Sequence, residues 1–253
     1  MKIVVIGGTG LIGSKVVEKL EKRGHQVIAA APSTGIDTIS GAGLLEALQG
    51  AEVVIDVANS PSFEDRAAMD FFQTAAKNLA AAELQAGVGH HVALSVVGTE
   101  RLQDSGYFRA KLAQERIIKT SSVPYTIVQA TQFFEFVRAI IQSGAVNGVV
   151  HASSAPFQPI AAEDVATAVA EAALAAPVNG TIEVAGPDAF PIAELVEQVL
   201  DHDKDPRQVI GDPETPYFGL RLDERSLMPG PGARLGATSF GCWLTQSPAA
   251  VMT

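Results

Sequence analysis

Apolar residues recur along the first half of the chain in two alternating rhythms. Residues 3–6 form a short β-branched run, and residues 11–23 then place Leu11, Ile12, Val16, Val17 and Leu20 at helical spacing, stopped by Gly24. The alternation continues with strands over 27–31, 53–57, 92–97 and 125–129, and helices over 43–48, 67–86, 108–120 and 133–141. Strands separated by helices imply parallel pairing through right-handed crossovers, with helices on both faces of one sheet. The expected fold class is therefore α/β, a doubly wound parallel Rossmann-type sheet.

After about residue 142 the rhythm loosens. A helix over 161–176 carries Glu163 and Asp164 in its first turn, where they suit the helix dipole. A strand over 181–184 and a helix over 192–200 follow. From Pro206 onward Pro and Gly recur without a period, which predicts a smaller, irregular C-terminal lobe. The expected division is a nucleotide-binding core over 1–145 and a mostly substrate-binding lobe over 146–253, with some elements returning to the sheet.

Composition narrows the partners. The 253 residues correspond to one or two domains at roughly 150 residues each. A net charge of −10 argues against nucleic acid or an anionic membrane surface, both of which reward clustered cations. Cys242 is the one cysteine, so no internal disulfide framework or cysteine metal cluster exists. The five histidines are scattered, and a strand cannot turn both rings of His90 and His91 to one ion, so no metal is expected. No stretch approaches the roughly 20 apolar residues of a membrane span, and the apolar start lacks a cleavage site. The expectation is a cytoplasmic protein with a small-molecule substrate; nothing decides its oligomeric state.

Candidate chemistry begins at Gly7-Gly8-Thr9-Gly10-Leu11-Ile12-Gly13, between the first strand and the first helix. Glycines at that place permit a tight turn, let a pyrophosphate approach the backbone, and let the helix pack on the strand. The phosphates then meet free N–H groups and the positive end of the helix dipole. Gly7, Thr9, Gly10, Leu11, Ile12 and Gly13 are thus the first cofactor-binding candidates.

The spacing of Gly7, Gly10 and Gly13 resembles that of atypical and extended short-chain dehydrogenases/reductases, especially the NmrA-like branch. The segment from Pro124 to Phe133 looks like that branch's fifth strand and the loop after it. The segment from Gln158 to Ala166 looks like its segment at the substrate lobe. The resemblance spans most of residues 1–200 and implies an NAD(P)-binding protein, in a branch that mixes working reductases with nucleotide sensors. It also implies that the loop carrying Ala130, Thr131 and Phe133 lies beside the nicotinamide.

An NAD binder usually ends its second strand in Asp or Glu for the ribose hydroxyls, and an NADP binder has a cation for the 2′-phosphate. Here Ala30-Ala31-Pro32-Ser33-Thr34 supplies neither, and no Lys or Arg occurs between Arg23 and Arg66. Ser33 and Thr34 are the hydroxyls on offer, and Asp37 reads as a turn acid. The cofactor is NADP or NAD, with a slight lean to NADP. After the third strand, the Ala58–Asn59 backbone is expected to pass the adenosine half; Asp56 is assigned no chemistry.

Tyr107 and Lys111 stand four apart at the start of a helix and share a face. With Ser95 at the end of the fourth strand, they match the Ser–Tyr–Lys set of the resembled superfamily in order and approximate spacing. Carbonyl reduction needs a hydride and a proton, and a free tyrosine with pKa near 10 exchanges protons poorly at neutral pH unless a cation lowers it. The expected roles are Tyr107 as proton donor, Lys111 as pKa modulator and ribose ligand, and Ser95 as orienter of the carbonyl. The plain alternative makes Tyr107 a helix-start aromatic and Lys111 a solvated charge. Phe133, Phe134, Phe136, Phe157, Tyr217 and Phe218 read mainly as core; those that face a cleft would favour a flat, apolar substrate. Glu135 and Arg138 read as a solvated helix face, Trp243 as an anchor of the C-terminal segment, and residues 247–253 as a frayed end.

Two functions follow. The first is an NAD(P)H-dependent oxidoreductase, of short-chain type, reducing a carbonyl or quinone of a small aromatic or apolar substrate. The second is a nucleotide-binding redox sensor without turnover.

Overall fold

The computed structural model describes residues 1–249; residues 250–253 of the expected frayed end lie outside it. The chain runs β1 (Lys2–Ile6), α1 (Leu11–Lys22), β2 (Gln26–Ala30), α2 (Leu44–Leu48), β3 (Val53–Asp56), α3 (Asp65–Ala86), β4 (His90–Val96), α4 (Gly106–Thr120) and β5 (Tyr125–Ala130). It continues α5 (Val137–Gly144), β6 (Ala145–Val146), β7 (Val149–Ala152), β8 (Pro156–Phe157), α6 (Ala162–Leu174), β9 (Gly180–Ala185), β10 (Phe190–Pro191), α7 (Ile192–Asp203), β11 (Gln208–Gly211), β12 (Arg234–Leu235) and α8 (Phe240–Gln246).

Seven strands form a parallel sheet in the order β12-β9-β5-β4-β3-β1-β2, the expected Rossmann-type architecture. The strand order reverses between β1 and β3, and open α/β sheets bind ligands outside the carboxyl ends of their strands at such a point. The central strands are apolar on both faces because helices cover both: Ile3, Val4, Val5, Val54 and Ile55 are all fully buried.

Two compact units divide the chain. The first comprises Met1–Gln129 with Val165–Ile182. One of its core layers packs Val4, Ile6, Leu48, Val54 and Leu79 together, and another packs Phe72 with Ala68 and Ala110. The second comprises Ala130–Asp164 and the chain from Glu183 onward. It contains a three-stranded sheet ordered β11-β7-β6 and an aromatic core in which the Phe134 ring lies 5.1 Å from Phe240 and 5.5 Å from Trp243.

Several expectations need correction. The helix expected over 133–141 is split: Phe133 is extended, Phe134–Phe136 form a 3-10 turn, and α5 starts at Val137. Backbone bonds from Ile160 N–H to the Gln132 carbonyl and from Phe134 N–H to the Ile160 carbonyl, both 2.9 Å, hold Phe133 in a strand-like bridge that a helix cannot satisfy. The chain after Pro206 is not wholly irregular, because β11 pairs with β7 and β12 joins the edge of the main sheet. Arg138 is not solvated: its guanidinium grips Asp203 at 2.9 and 3.1 Å and reaches the Pro248 carbonyl at 3.1 Å. Glu135 likewise accepts the Ala162 N–H at 3.3 Å.

Candidate functional site

Backbone hydrogen bonds within the protein fasten the turn after β1. The N–H groups of Gly7 and Gly8 both reach the Ala30 carbonyl at the end of β2, at 2.9 and 3.2 Å, and Gly10 N–H reaches the Gly7 carbonyl at 3.0 Å. Helix α1 then packs so tightly on this turn that a Cβ on Gly13 would stand 2.1 Å from the Gly7 oxygen. A Cβ on Gly10 would meet only that same oxygen, at 3.3 Å, with open space beyond it. Gly10 is also the helix N-cap, without a capping side chain, and the first turn holds no acid. Thr9, Gly10 and Leu11 are exposed, while Ile12 and Gly13 are buried as structural members. The first-turn N–H groups and the dipole therefore face outward over a bare glycine, which fits a nucleotide diphosphate.

The end of β2 has no carboxylate or cation. The Thr34 hydroxyl is already engaged, accepting from Ala31 N–H at 2.9 Å and donating to the local carbonyls of Ala29 and Ala31, whereas Ser33 is exposed. Asp37 closes its own turn, accepting from Ile39 N–H at 2.8 Å and the Ser40 hydroxyl at 2.9 Å, and these bonds hold its carboxyl below the usual range.

At the end of β3, Asp56 is buried at 3% exposure and accepts two hydrogen bonds. Oδ1 takes Ala58 N–H at 3.1 Å, and Oδ2 takes the Gln114 Nε2 donor at 2.8 Å. The Ala58 backbone passes directly against the glycine turn: a Cβ on Gly7 would lie 2.8 Å from it. Asn59, the next residue, accepts the Tyr107 hydroxyl on Oδ1 at 3.1 Å.

Helix α4 carries Tyr107 and Lys111 on one face, and both pack on Phe72. The Tyr107 ring stands 5.8 Å from that ring, with Phe63 at 5.4 Å on another side. Burial pushes the Tyr107 phenol up to about 12. The Lys111 ammonium lies 4.5 Å over Phe72, donates to the Leu94 carbonyl at 2.9 Å and bonds Oε1 of Gln114. Its 3% exposure excludes the solvated-charge alternative. Burial brings Lys111 down to about 8, against the opposing pull of Asp56 and Glu115. Ser95 donates to buried Glu115 at 2.6 Å, and the same carboxylate accepts from Gln129 at 2.8 Å and Lys119 at 3.2 Å.

Among the described residues no hydrogen bond joins Ser95, Tyr107 and Lys111 to one another. Tyr107 is brought to Asn59, Lys111 to Gln114 and Ser95 to Glu115. Sequence reasoning missed Gln114 and Glu115, although their positions three and four after Lys111 put them on its helix face. It also left Asp56 without a role, and it gave Asn59 only a backbone one.

Ala130 ends β5 and, with Thr131 and Phe133, belongs to the second unit. Thr131 N–H is pinned to the Val184 carbonyl at 3.0 Å, and its buried hydroxyl has no partner among the described residues. Phe133 stacks obliquely on Phe136 at 5.8 Å. No described helix is long and apolar enough to cross a membrane.

Residues 7–177 match the family described as NAD(P)H-binding. Over 149 residues the chain is 27% identical to the photosystem II assembly factor Ycf39 of Cyanophora paradoxa, covering 53% of this chain and 46% of that protein. The chain thus spans about half the length of the curated relative it matches. A dTDP-4-dehydrorhamnose reductase from Clostridium acetobutylicum superposes with a TM-score of 0.75 at 17% identity, covering 97% of this chain and 98% of that one. MoeE5, in complex with UDP-glucose and NAD, superposes at 0.74 with 16% identity over 97% and 98% of the two chains. The Bacillus anthracis dTDP-4-dehydrorhamnose reductase, in complex with NADP, gives 0.68 at 14% identity over 94% and 90%.

Proposed function

The chain belongs to the NAD(P)H-binding family, within the atypical short-chain dehydrogenase/reductase superfamily that its glycine turn resembles, and from that premise we propose that it is an NAD(P)H-dependent reductase of a small apolar ketone or quinone. The observation that carries this reading is the bond from Tyr107 to Asn59. It ties a phenolic proton donor to the strand end whose backbone touches the glycine turn, so acid and nucleotide share one edge of the sheet.

The nicotinamide, when bound, would supply the hydride that a carbonyl carbon needs. The residues of this chain do the rest. Thr9, Gly10 and Leu11 would receive the diphosphate, on a turn that Gly7, Ile12 and Gly13 shape from behind, and the Ala58–Asn59 backbone and Ser33 would serve the adenosine half. Tyr107 gives its Oη proton to the carbonyl oxygen as negative charge develops there, and the phenol is fully protonated at neutral pH. Asn59 fixes the hydroxyl before reaction. Exposed Phe63, against the Tyr107 ring, offers a flat apolar wall that suits an aromatic substrate.

For Ser95 and Lys111 the hydrogen bonds favour a positioning role over the roles of carbonyl orienter and ribose ligand. Their polar atoms serve buried partners, so they hold α4 against β4 rather than touch substrate. The missing carboxylate at the end of β2 favours NADP over NAD. Ala130, Thr131 and Phe133 complete the cofactor set by resemblance.

One observation favours the second reading, a nucleotide sensor. With Lys111 occupied elsewhere, the Tyr107 phenol is raised rather than lowered, which suits binding better than rapid proton exchange. Absorbance assays of NADH and NADPH oxidation against quinones and aromatic ketones separate the two. The reductase reading expects turnover that Tyr107→Phe cuts about a hundredfold. Saturable binding with no turnover on the whole panel would move the assignment to the sensor.

A further inference from the structure

Tyr107 is the second residue of α4, and a helix end frays unless something holds it. Helix α4 supplies no cap of its own. Among the described residues Ser105, just before it, makes no side-chain capping bond, and the first turn holds no acid. The charge comes instead from the neighbouring helix. Asp65, the first residue of α3, lays its carboxylate directly against Gly106, the first residue of α4, so that a Cβ on Gly106 would collide with it. A carboxylate at a helix N-terminus interacts favourably with the helix dipole.

Arg109 fastens this contact. Its guanidinium donates to Asp65 Oδ2 at 2.6 Å and to the Gln103 carbonyl at 2.7 Å. It therefore ties together the two loops next to Tyr107, one after β3 and one after β4. The first loop already holds the tyrosine, with Asn59 Oδ1 3.1 Å from its hydroxyl and the Phe63 ring 5.4 Å from its own. The second is anchored inward by buried Thr99, whose hydroxyl accepts from Gln129 at 3.1 Å. The Asp65 and Arg109 side chains are 66% and 39% exposed, and an ion pair so exposed contributes little to global stability. Its effect falls on where α4 begins and not on whether the chain folds.

We propose that the Asp65–Arg109 pair is a clasp that positions Tyr107, holding the first turn of α4 so that the hydroxyl stays on Asn59. Both are positioning residues for the proposed reduction, and their effect on turnover rests on that reading; their effect on the phenol does not. The test is nitration of the full chain by tetranitromethane near neutral pH, mapped by peptide mass spectrometry. Nitration attacks the phenolate, and an acceptor on the hydroxyl keeps the phenol protonated, so wild type should nitrate slowly at Tyr107. Arg109→Met and Asp65→Ala should nitrate there about fivefold faster or more, with Tyr125 and Tyr217 unchanged as internal references. Arg109→Lys keeps the charge but not the forked grip, and should fall between. Where wild type reduces a carbonyl substrate, Arg109→Met should lower kcat about tenfold or more, the scale of a small misplacement, with KM little changed. A Tyr107 nitration rate equal to that of wild type would overturn the proposal. So would an equal rise at all three tyrosines, or an unchanged kcat in Arg109→Met. Wild type without turnover would count against the reductase reading alone, and the nitration rates would still decide the clasp.

Discussion

Gln114 and Asp56, separated by 58 positions in the chain, are joined by one hydrogen bond of 2.8 Å between side chains that are 2% and 3% exposed. That bond closes a circuit that begins and ends on α4. Tyr107 holds Asn59, the neighbouring Ala58 N–H holds Asp56, Asp56 holds Gln114, and Gln114 holds Lys111. The Tyr107 phenol and the buried Lys111 ammonium, one turn apart on a helix, are thus connected through the end of β3. Asp56→Ala would leave the Gln114 amide and the Ala58 N–H without acceptors inside the protein, a loss of about 2–4 kcal/mol. Asp56→Asn keeps one acceptor oxygen and should lose less. Urea unfolding of the three proteins measures both, and wild-type stability in Asp56→Ala would show the circuit to be idle.

Lys111 makes stability depend on alkaline pH in a defined direction. Its folded pKa, about 8, lies below the 10.5 of an unfolded lysine, so between these values the unfolded chain binds more protons. Stability contributed through Lys111 therefore rises from pH 8 toward 10.5, by at most about 3 kcal/mol. Tyr107 works the opposite way at higher pH, because a phenol raised to about 12 keeps its proton longer in the folded state than in the unfolded one. The difference in urea-unfolding free energy between wild type and Lys111→Met isolates the lysine. That difference should shift in favour of wild type between pH 8 and 10; a constant difference would contradict the assignment.

Much of this architecture was legible because it rests on short-range pattern. Buried parallel strands such as 53–56 announce themselves as apolar runs, and a glycine turn between strand and helix has a mechanical reason for its letters. What stayed hidden depends on contacts distant in sequence. Phe133 reads as helical until Ile160 bridges it, and Arg138 reads as solvated until Asp203 arrives. Strand β12 is two residues long and has no periodicity to detect. Ser95, Tyr107 and Lys111 have the order of a catalytic set, but order does not say that Glu115, Asn59 and Gln114 will take their polar atoms.

A second buried pair lies at the start of β4. His91 Nδ1 is 2.6 Å from Glu83 Oε1, both residues are under 5% exposed, and His91 Nε2 has no partner among the described residues. Burial alone would lower His91, but the charge and hydrogen bond of Glu83 outweigh it and the net direction is up. The stabilisation is complete below the unfolded value of 6.5 and is lost as pH rises through the higher folded one. Glu83→Gln should cost about 3–5 kcal/mol at pH 6 and less at pH 9. Neighbouring His90, lowered to about 4 by burial, has the opposite acid dependence, so the variant is compared with wild type at each pH. An equal cost at both values would contradict the charged pair.

The glycine turn separates fold from binding. Gly13→Ala puts a methyl 2.1 Å from the Gly7 oxygen, so helix and turn must part. A fall in melting temperature of roughly 5 °C or more is expected, equivalent to about 2 kcal/mol or more in a chain of this size. Differential scanning calorimetry checks it, and an unchanged melting temperature would mean that α1 does not pack on the turn as described.

A nucleotide diphosphate is expected against Gly10, beside the strand end that holds Asn59 and Tyr107. Titration of NADPH and NADH, followed by nicotinamide fluorescence, into wild type and Gly10→Val tests this most directly, because that position has open space and needs no side chain for the fold. Saturable binding by wild type, tighter for NADPH and at least tenfold weaker in a Gly10→Val protein of unchanged melting temperature, is the predicted result. Equal affinity in the two proteins, or no binding by wild type, would contradict it.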